Sequence, residues 1–287
     1  MSSMRLLRFK SPALSALAAF LCQITLHAAA PRAEHVLRTA DVIFCEDTRH
    51  SGSLLKRIGV TNAKLVVANE HTEHDAIERM LESLGRGEVV AVITDAGTPA
   101  ISDPGERLVR GAVEANFPVH AVPGPAAFVM AATISGLPTQ RIAFDGFLPR
   151  SGAERRNAIT EIVHERRTTV IYEAPHRLAR TVQDLFEALG PSRRIAIARE
   201  LTKMHENVWR GTIADAMEHV ESAEPRGEYA LVIEPAQSDR SEVSDDDITA
   251  ELNSRLVAGL SKRDAVDEVT TALGIARKRV YDISISL

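Results

Sequence analysis

Cysteine is nearly absent from this sequence: Cys22 and Cys45 are the only two in 287 residues. They cannot build a disulfide framework, and no Cys-x-x-Cys pair exists for zinc or dithiol chemistry. The G-x-G-x-x-G of dinucleotide sites is missing too, since Gly85-Arg-Gly87 precedes a strand and lacks the third glycine. There is no P-loop, no nucleophile elbow and no cysteine triad. Nucleoside triphosphate binding and acyl-enzyme chemistry therefore have no support. No apolar run reaches the length of a confident membrane span. His71 and His74 share a polar loop without a third ligand, so no metal site is expected. Internal repeats are absent.

What is present is globular: 45% hydrophobic and 25% charged residues, which excludes disordered or collagen-like chains. The length suggests two domains and a small third. A net charge of −5 argues against a nucleic-acid coat protein but leaves local basic faces open. Residues 141–210 hold 13 basic against 9 acidic side chains, and residues 211–250 hold 2 against 11. A polyanion would meet the former region or the end of the chain.

The first thirty residues differ from the rest. Arg5, Arg8 and Lys10 precede an apolar run from Ser11 to Cys22, and Leu26 to Ala30 resembles a small-residue cleavage site. That is the layout of a secretory signal peptide, with a buried helix as the alternative. Downstream, strands and helices alternate. Helices are expected over 31–40, 51–58 and 75–84, and strands over 41–45, 64–68, 88–94 and 119–122. The unbroken apolar run of 88–94 places that strand at the centre of a sheet covered on both faces. This order implies a parallel, doubly wound sheet. The second half reads as mixed α/β with antiparallel pairs: strands at 142–144, 168–172, 194–198, 206–211 and 228–233, helices at 153–165 and 177–189. An acidic, serine-rich stretch at 238–247 reads as a linker. Helices at 248–258, 262–273 and 276–282 form a compact tail. The domain plan is thus an atypical segment 1–31, α/β domains over 32–123 and 124–237, the linker 238–247 and a helical tail 248–287.

The loop Asp95-Ala-Gly-Thr-Pro99 follows the carboxyl end of the most buried strand, where open α/β sheets bind ligands. Gly97 allows close approach of backbone to a ligand, and Asp95 can accept from hydroxyl or ammonium groups. Pro123-Gly-Pro125 forms a second rigid loop facing the same crevice. These two join a longer series: Glu46-Asp-Thr-Arg-His50, Asn69-Glu-His71, Ser102-Asp-Pro-Gly105, Pro123-Gly-Pro-Ala-Ala127, Gly136-Leu-Pro138, Phe144-Asp-Gly-Phe-Leu-Pro149, Tyr172-Glu-Ala-Pro-His-Arg177 and Arg199-Glu-Leu-Thr-Lys203. In this order they resemble the tetrapyrrole methylase superfamily, and within it the bacterial small-subunit ribosomal RNA cytidine 2′-O-methyltransferases. The likeness runs from about Arg32 to Leu287.

The resemblance implies two α/β domains with an S-adenosylmethionine cleft between them, a homodimer in the cytoplasm, and a ribose in the decoding region of 16S rRNA, free or in the small subunit, as substrate. It implies cofactor contacts at Asp95, Gly97, Thr98, Pro99, Ser102, Gly124, Pro125, Ala126 and Ala127, closed over by Phe147, Tyr172 and Glu173. In-line methyl transfer needs alignment above all, which rigid Gly/Pro loops supply. A weakly acidic hydroxyl gains from a base, for which the matched motifs offer Asp47, Glu200, or Lys203 if burial lowers its pKa. Either carboxylate could instead pair with Arg49 or Arg199. Phosphates would meet Arg49, His50, Arg150, His176, Arg177, Arg199, Lys203 and, in the tail, Arg277, Lys278 and Arg279.

The sequence departs from the family at its start. Arg32 to Asp41 matches the end of the family's first helix, but nothing upstream supplies the usual Gly-Asn-Leu loop, which Ile24-Thr-Leu26 echoes only at the wrong distance. The opening strand of the sheet is expected to be replaced, through an altered reading frame or mis-set start that also accounts for the signal-like layout. Two alternatives remain open: a relative methylating a small tetrapyrrole, and a non-catalytic RNA-binding remnant.

Overall fold

Five four-residue strands form a parallel sheet in the computed structural model, which describes residues 17–20, 31–61, 63–69, 72–222, 225–237 and 244–287. In chain order the elements are β1 (Leu17–Phe20), α1 (Pro31–Thr39), β2 (Val42–Cys45), α2 (Thr48–Arg57), β3 (Lys64–Val67), α3 (Glu73–Gly85), β4 (Val90–Ile93), α4 (Glu106–Glu114) and β5 (Val119–Val122). The strand order is β3-β2-β4-β1-β5, so β4 is central, as its unbroken apolar run requires. Side chains alternate between faces along each strand. Ile43, Cys45, Ala91 and Ile93 pack with Val36 and Leu37 of α1 and Leu54 and Leu55 of α2. Val42, Phe44, Val90 and Val92 pack with Met80 and Leu84 of α3 and Leu108 of α4.

The opening strand, expected to be replaced, has its slot filled by a segment unlike the family's. Leu17 to Phe20 pairs in parallel with β4 on one side and β5 on the other, Leu17 opposite Val90 and Val119. A ladder is made by backbone groups, so a short apolar segment of different sequence can complete the slot. A run of that length cannot be assigned to strand or helix by periodicity alone, which is why it reads equally as a hydrophobic leader. The remainder of the signal-like stretch, including Ile24-Thr-Leu26, lies outside the described residues, as do Glu70, His71 and 238–243 of the expected linker.

The second sheet follows from α5 (Ala127–Ile134), β6 (Ile142–Phe147), α6 (Gly152–His164), β7 (Thr168–Glu173), α7 (Leu178–Leu189), β8 (Arg194–Arg199), β9 (Asn207–Thr212), α8 (Ile213–Glu221) and β10 (Tyr229–Ile233). Its order is β6-β7-β10-β8-β9, with β6 and β7 parallel and the other pairs antiparallel. One face carries α6, α7 and α8 around Ile162, Leu185 and Ile213. The other carries α5, whose Ala131 and Ala132 meet Val170, Ala196, Ala198 and Val232. Arg193 closes the far end, donating to the carbonyls of Ile162, Val163 and Glu234.

Three local expectations change. Helix α2 begins at Thr48 rather than Ser51, because the Asp47 carboxylate accepts from the Arg49 N–H and caps it. Helices α5 and α8 were not foreseen; α8 starts at a Thr212/Asp215 capping box. The expected linker is shorter, since Ser244 and Asp247 form another capping box and start α9 (Asp245–Val257) inside it.

Contacts divide the chain into two compact units, with the boundary between Ala236 and Gln237. Both sheets lie in the first. The second holds α9, α10 (Lys262–Leu273) and α11 (Arg277–Ile285), packed around Ile248, Leu252, Val266, Val269 and Val280. No helix among the described residues is long and apolar enough to cross a membrane.

Candidate active site

The carboxyl ends of β4 and β5 lead into the two Gly/Pro loops, and the ends of β6, β7 and β8 reach the same place from the second sheet. Between them lies a cavity of about 310 Å³, at the small end of the usual range for ligand pockets. Gly97, Ser102, Asp103, Pro125 and Ala127 line it from one side. Phe147, Tyr172, Glu173, Lys203 and Glu228 line it from the other.

The loop after β4 is held by its own hydrogen bonds. Thr94 Oγ1 donates to the Ala96 carbonyl, and a single antiparallel bridge joins Thr98 to Ile101. Gly97 sits at φ 69°, and Ala100 and Ser102 adopt left-handed φ of 70° and 59°. Its far end is pinned by Glu73, a buried carboxylate at the start of α3 that accepts from the Gly105 and Arg107 N–H groups. Two buried oxygens of this loop, Asp95 Oδ1 and Thr98 Oγ1, have no hydrogen-bond partner. Orphaned buried oxygens call for a donor or a polar ligand, and both belong to the expected cofactor loop.

The two sheets meet where β6 bulges between Phe144 and Gly146. Gly146 has φ 62°, and a Cβ there would lie 2.8 Å from Ser102 Oγ. We expect Gly146→Ala to cost about 1–2 kcal/mol from its left-handed backbone alone and to push Ser102 out of place. Thermal melts and cofactor titration should both register the change, and adding Ser102→Ala should restore part of the loss. Equal melting and binding in variant and wild type would refute this close approach.

Tyr172 ties the second loop in, its hydroxyl accepting from the Phe128 N–H at the start of α5. Its ring packs edge-on against Phe144 and Phe147, and burial pushes the phenol up. Phe147 is 51% exposed beside the cavity mouth. Glu173 lines the cavity wall but is fully engaged in the fold: it accepts from the Ala174 N–H, Thr181 Oγ1 and Arg177 Nε. Asp95, Thr98, Pro99, Gly124 and Ala126 lie in the same loops without lining the cavity.

Among the expected bases, Asp47 is bonded to the Arg49 side chain and N–H, which hold its carboxyl well below the ordinary carboxylate range. For Glu200, burial acts upward, but the Glu228 N–H and Lys203 ammonium outweigh it and lower the carboxyl. Lys203 corrects the expectation of a lowered amine. Burial pulls it down, yet the carboxylates of Glu228 and Glu200, at 2.9 and 3.0 Å, raise it instead.

The expected phosphate contacts separate in the same way. Arg49, Arg150 and His176 are exposed. His50 reaches Asp95 at 3.0 Å and is raised by that hydrogen bond. Arg177 is turned inward, donating to the Leu148 and Pro149 carbonyls and pairing with Glu173, so it is not presented to a phosphate. Arg199 is half-buried, with Nε buried and unpartnered. In the tail, Arg277 pairs with Asp267 and Arg279 with Asp245, while Lys278 is exposed.

Sequence reasoning missed Asp103. It stood inside the Ser102-Asp-Pro-Gly105 motif, where Asp-Pro also reads as plain turn chemistry. Burial first, then the charges of Glu46, Glu228 and Asp95, push its carboxyl up to about 7.

A parallel sheet and a mixed sheet joined across a Gly/Pro-walled cleft define a methyltransferase of the tetrapyrrole methylase class. The pattern of the tetrapyrrole (corrin/porphyrin) methylases matches residues 26–217. Among solved structures, the methyltransferase CobJ aligns with TM-score 0.59 at 18% identity, covering 78% of this chain and 95% of its own. Cobalt precorrin-4 methyltransferase CbiF aligns with TM-score 0.57 at 15% identity, covering 76% and 94%. At those identities the likeness speaks to fold alone. Closer in sequence are proteins named ribosomal RNA small subunit methyltransferase I. That of Synechocystis is 39% identical over 258 residues, covering 90% of this chain and 92% of its own. The Xylella fastidiosa protein is 43% identical over 208 residues, 72% and 76% of the two chains. The one from Escherichia coli O157:H7 is 41% identical over 205 residues, 71% of each. The chain belongs to the ribosomal RNA small subunit methyltransferase I group of the tetrapyrrole methylase family. Methyltransferases of this family take their methyl group from S-adenosylmethionine.

Proposed function

We propose that this chain transfers a methyl group from S-adenosylmethionine to the 2′-hydroxyl of a cytidine ribose in 16S rRNA of the small ribosomal subunit. The observation that carries the reading is the cleft loop 95–99, with Gly97 open to the cavity and the Asp95 and Thr98 oxygens awaiting partners. Asp95 and Thr98 would hold hydroxyl or ammonium groups of the cofactor. Gly97 and the Pro123–Ala127 loop would let it approach the backbone, and Phe147 and Tyr172 would shield it from water. When bound, the cofactor supplies an electrophilic methyl on a sulfonium. The protein's own contribution is alignment, because in-line displacement depends on placing oxygen, carbon and sulfur together.

RNA would approach over exposed Arg49, Arg150 and His176, contacts that position a backbone without reading sequence. A ribose acceptor would confine the reaction to RNA, since only RNA carries the 2′-hydroxyl. The substrate places the enzyme in the cytoplasm. A homodimer is supported by α5, a strongly apolar helix that leaves Val129 and Ile134 exposed, and sedimentation would test it.

The test is transfer of labelled methyl to purified small subunits lacking the modification, followed by mass spectrometry of the digested RNA. We expect one 2′-O-methylcytidine per subunit, and calorimetric binding of S-adenosylmethionine by the enzyme alone. Binding without transfer to RNA would overturn the substrate; absence of binding would overturn the cleft.

A further inference from the structure

The loop that joins β6 to α6 carries two of the residues expected to meet ligands. Phe147 stands half-exposed against the cavity, and Arg150 faces solvent three residues on. Glycines bound the loop on both sides, Gly146 at φ 62° and Gly152 at φ 80°. Pro149 at its centre has no N–H to donate. A loop flanked by such freely rotating residues draws its rigidity from groups outside itself.

Those groups are two arginines that converge on one carbonyl. Arg177 donates to the Leu148 carbonyl at 2.5 Å and the Pro149 carbonyl at 3.3 Å, and Arg155 donates to the Pro149 carbonyl at 3.1 Å. Both guanidiniums are fixed in turn. Arg155, buried on α6, donates to Asp184 and Thr181 of α7 at 2.7 and 2.8 Å. Thr181 donates to Glu173, and Glu173 holds Arg177 at 3.1 Å. The bonds close a ring that runs from Pro149 through Arg155, Thr181, Glu173 and Arg177 back to Pro149.

Stapling α6 to α7 needs only the Asp184 and Thr181 bonds. The third bond, to a carbonyl already met by Arg177, serves the loop instead. Arginine can make all three because its N–H donors lie in one rigid fork. Bonds from a charged donor are also about twice as strong as neutral ones.

We infer that Arg155 is a positioning residue for methyl transfer, an inference that rests on the cofactor reading of the cleft. Through the Pro149 carbonyl it holds Phe147 over the cofactor and Arg150 toward the RNA, without lining the cavity itself. Phe147 and Arg150 meet parts of the ligands that do not react, so releasing the loop raises KM and spares kcat. Loss of folded enzyme does the opposite, lowering apparent kcat and leaving KM alone.

Arg155→Lys keeps a charge beside Asp184 but loses the fork. The expected result is S-adenosylmethionine affinity weakened about tenfold by calorimetry and KM for small subunits raised about tenfold, with kcat changed by less than about threefold. Phe147→Ala supplies the coupling. The double variant should bind cofactor within about twofold of Phe147→Ala alone, whereas independent effects would multiply. Val220→Ala truncates the same core on α8 and should melt lower, with affinity and KM unmoved. If Arg155→Lys does not fold, Asp184→Asn removes the carboxylate that orients Arg155 and should shift affinity and KM in the same direction. Unchanged affinity and KM in whichever variant folds overturn the inference. So do effects that multiply in the double variant, or equal shifts in Val220→Ala. If the wild type itself binds no cofactor, the cleft reading fails first and this inference with it.

Discussion

Glu173→Ala is expected to remove about 3–5 kcal/mol of folding stability, the usual cost of leaving one half of a buried ion pair behind. Its side chain is fully buried at the end of β7, and both oxygens are occupied. Truncation strands the Arg177 guanidinium, which is 18% exposed, and frees the Thr181 hydroxyl. The damage spreads, because Thr181 also accepts from Arg155, itself 4% exposed and paired with Asp184. Against a total margin of about 5–15 kcal/mol, and at about 2–4 °C per kcal/mol for a unit of this size, melting should fall by roughly 6–20 °C. Glu187→Ala on the exposed side of α7 is the control, with a change within about 0.5 kcal/mol. The result also decides what Glu173 is for. Family resemblance made it a cofactor contact, and the geometry makes it a pin behind the cavity wall. A variant with normal stability but no cofactor binding would restore the first role.

The second large effect is Gly97→Val, expected to weaken S-adenosylmethionine binding by about 100-fold or more. Two terms add. A β-branched residue at φ 69° is strained, by at least the 1–2 kcal/mol typical of left-handed backbone. Its Cβ would stand 3.0 Å from Asp103 Oδ2, and its methyls would enter a cavity of only about 310 Å³. The first term lowers stability modestly, and the second blocks the ligand. Calorimetric titration beside a thermal melt separates them. A valine variant that binds within tenfold of wild type would show that the ligand does not approach this backbone.

Much of the first sheet was legible in sequence because its signals are local. An apolar run without alternation marks a strand covered on both faces, and β4 is indeed central. The Gly/Pro loops stand at strand ends, where a parallel sheet opens. What local signals misjudged were the places where a partner far along the chain decides. The run containing Leu17–Phe20 reads as a leader until β4 and β5 supply ladders on both sides of it. Helix α5 hides behind Pro123-Gly-Pro125 because its small apolar residues show no polar face, and it forms by packing on the second sheet. Arg177 reads as a phosphate contact until Glu173, four residues earlier, is buried beside it.

The sequence by itself determined the order of strands and helices, the place of the rigid loops and the family to which they point. These follow from hydrophobic periodicity and from backbone freedoms specific to glycine and proline, which act over a few residues. Only the tertiary structure decided which titratable groups are free to react. The protonation of Asp47, Glu200, Lys203 and Asp103 depends on burial and on charges from distant strands and loops. No pattern within a motif records those neighbours, because charge and desolvation act through space rather than along the chain.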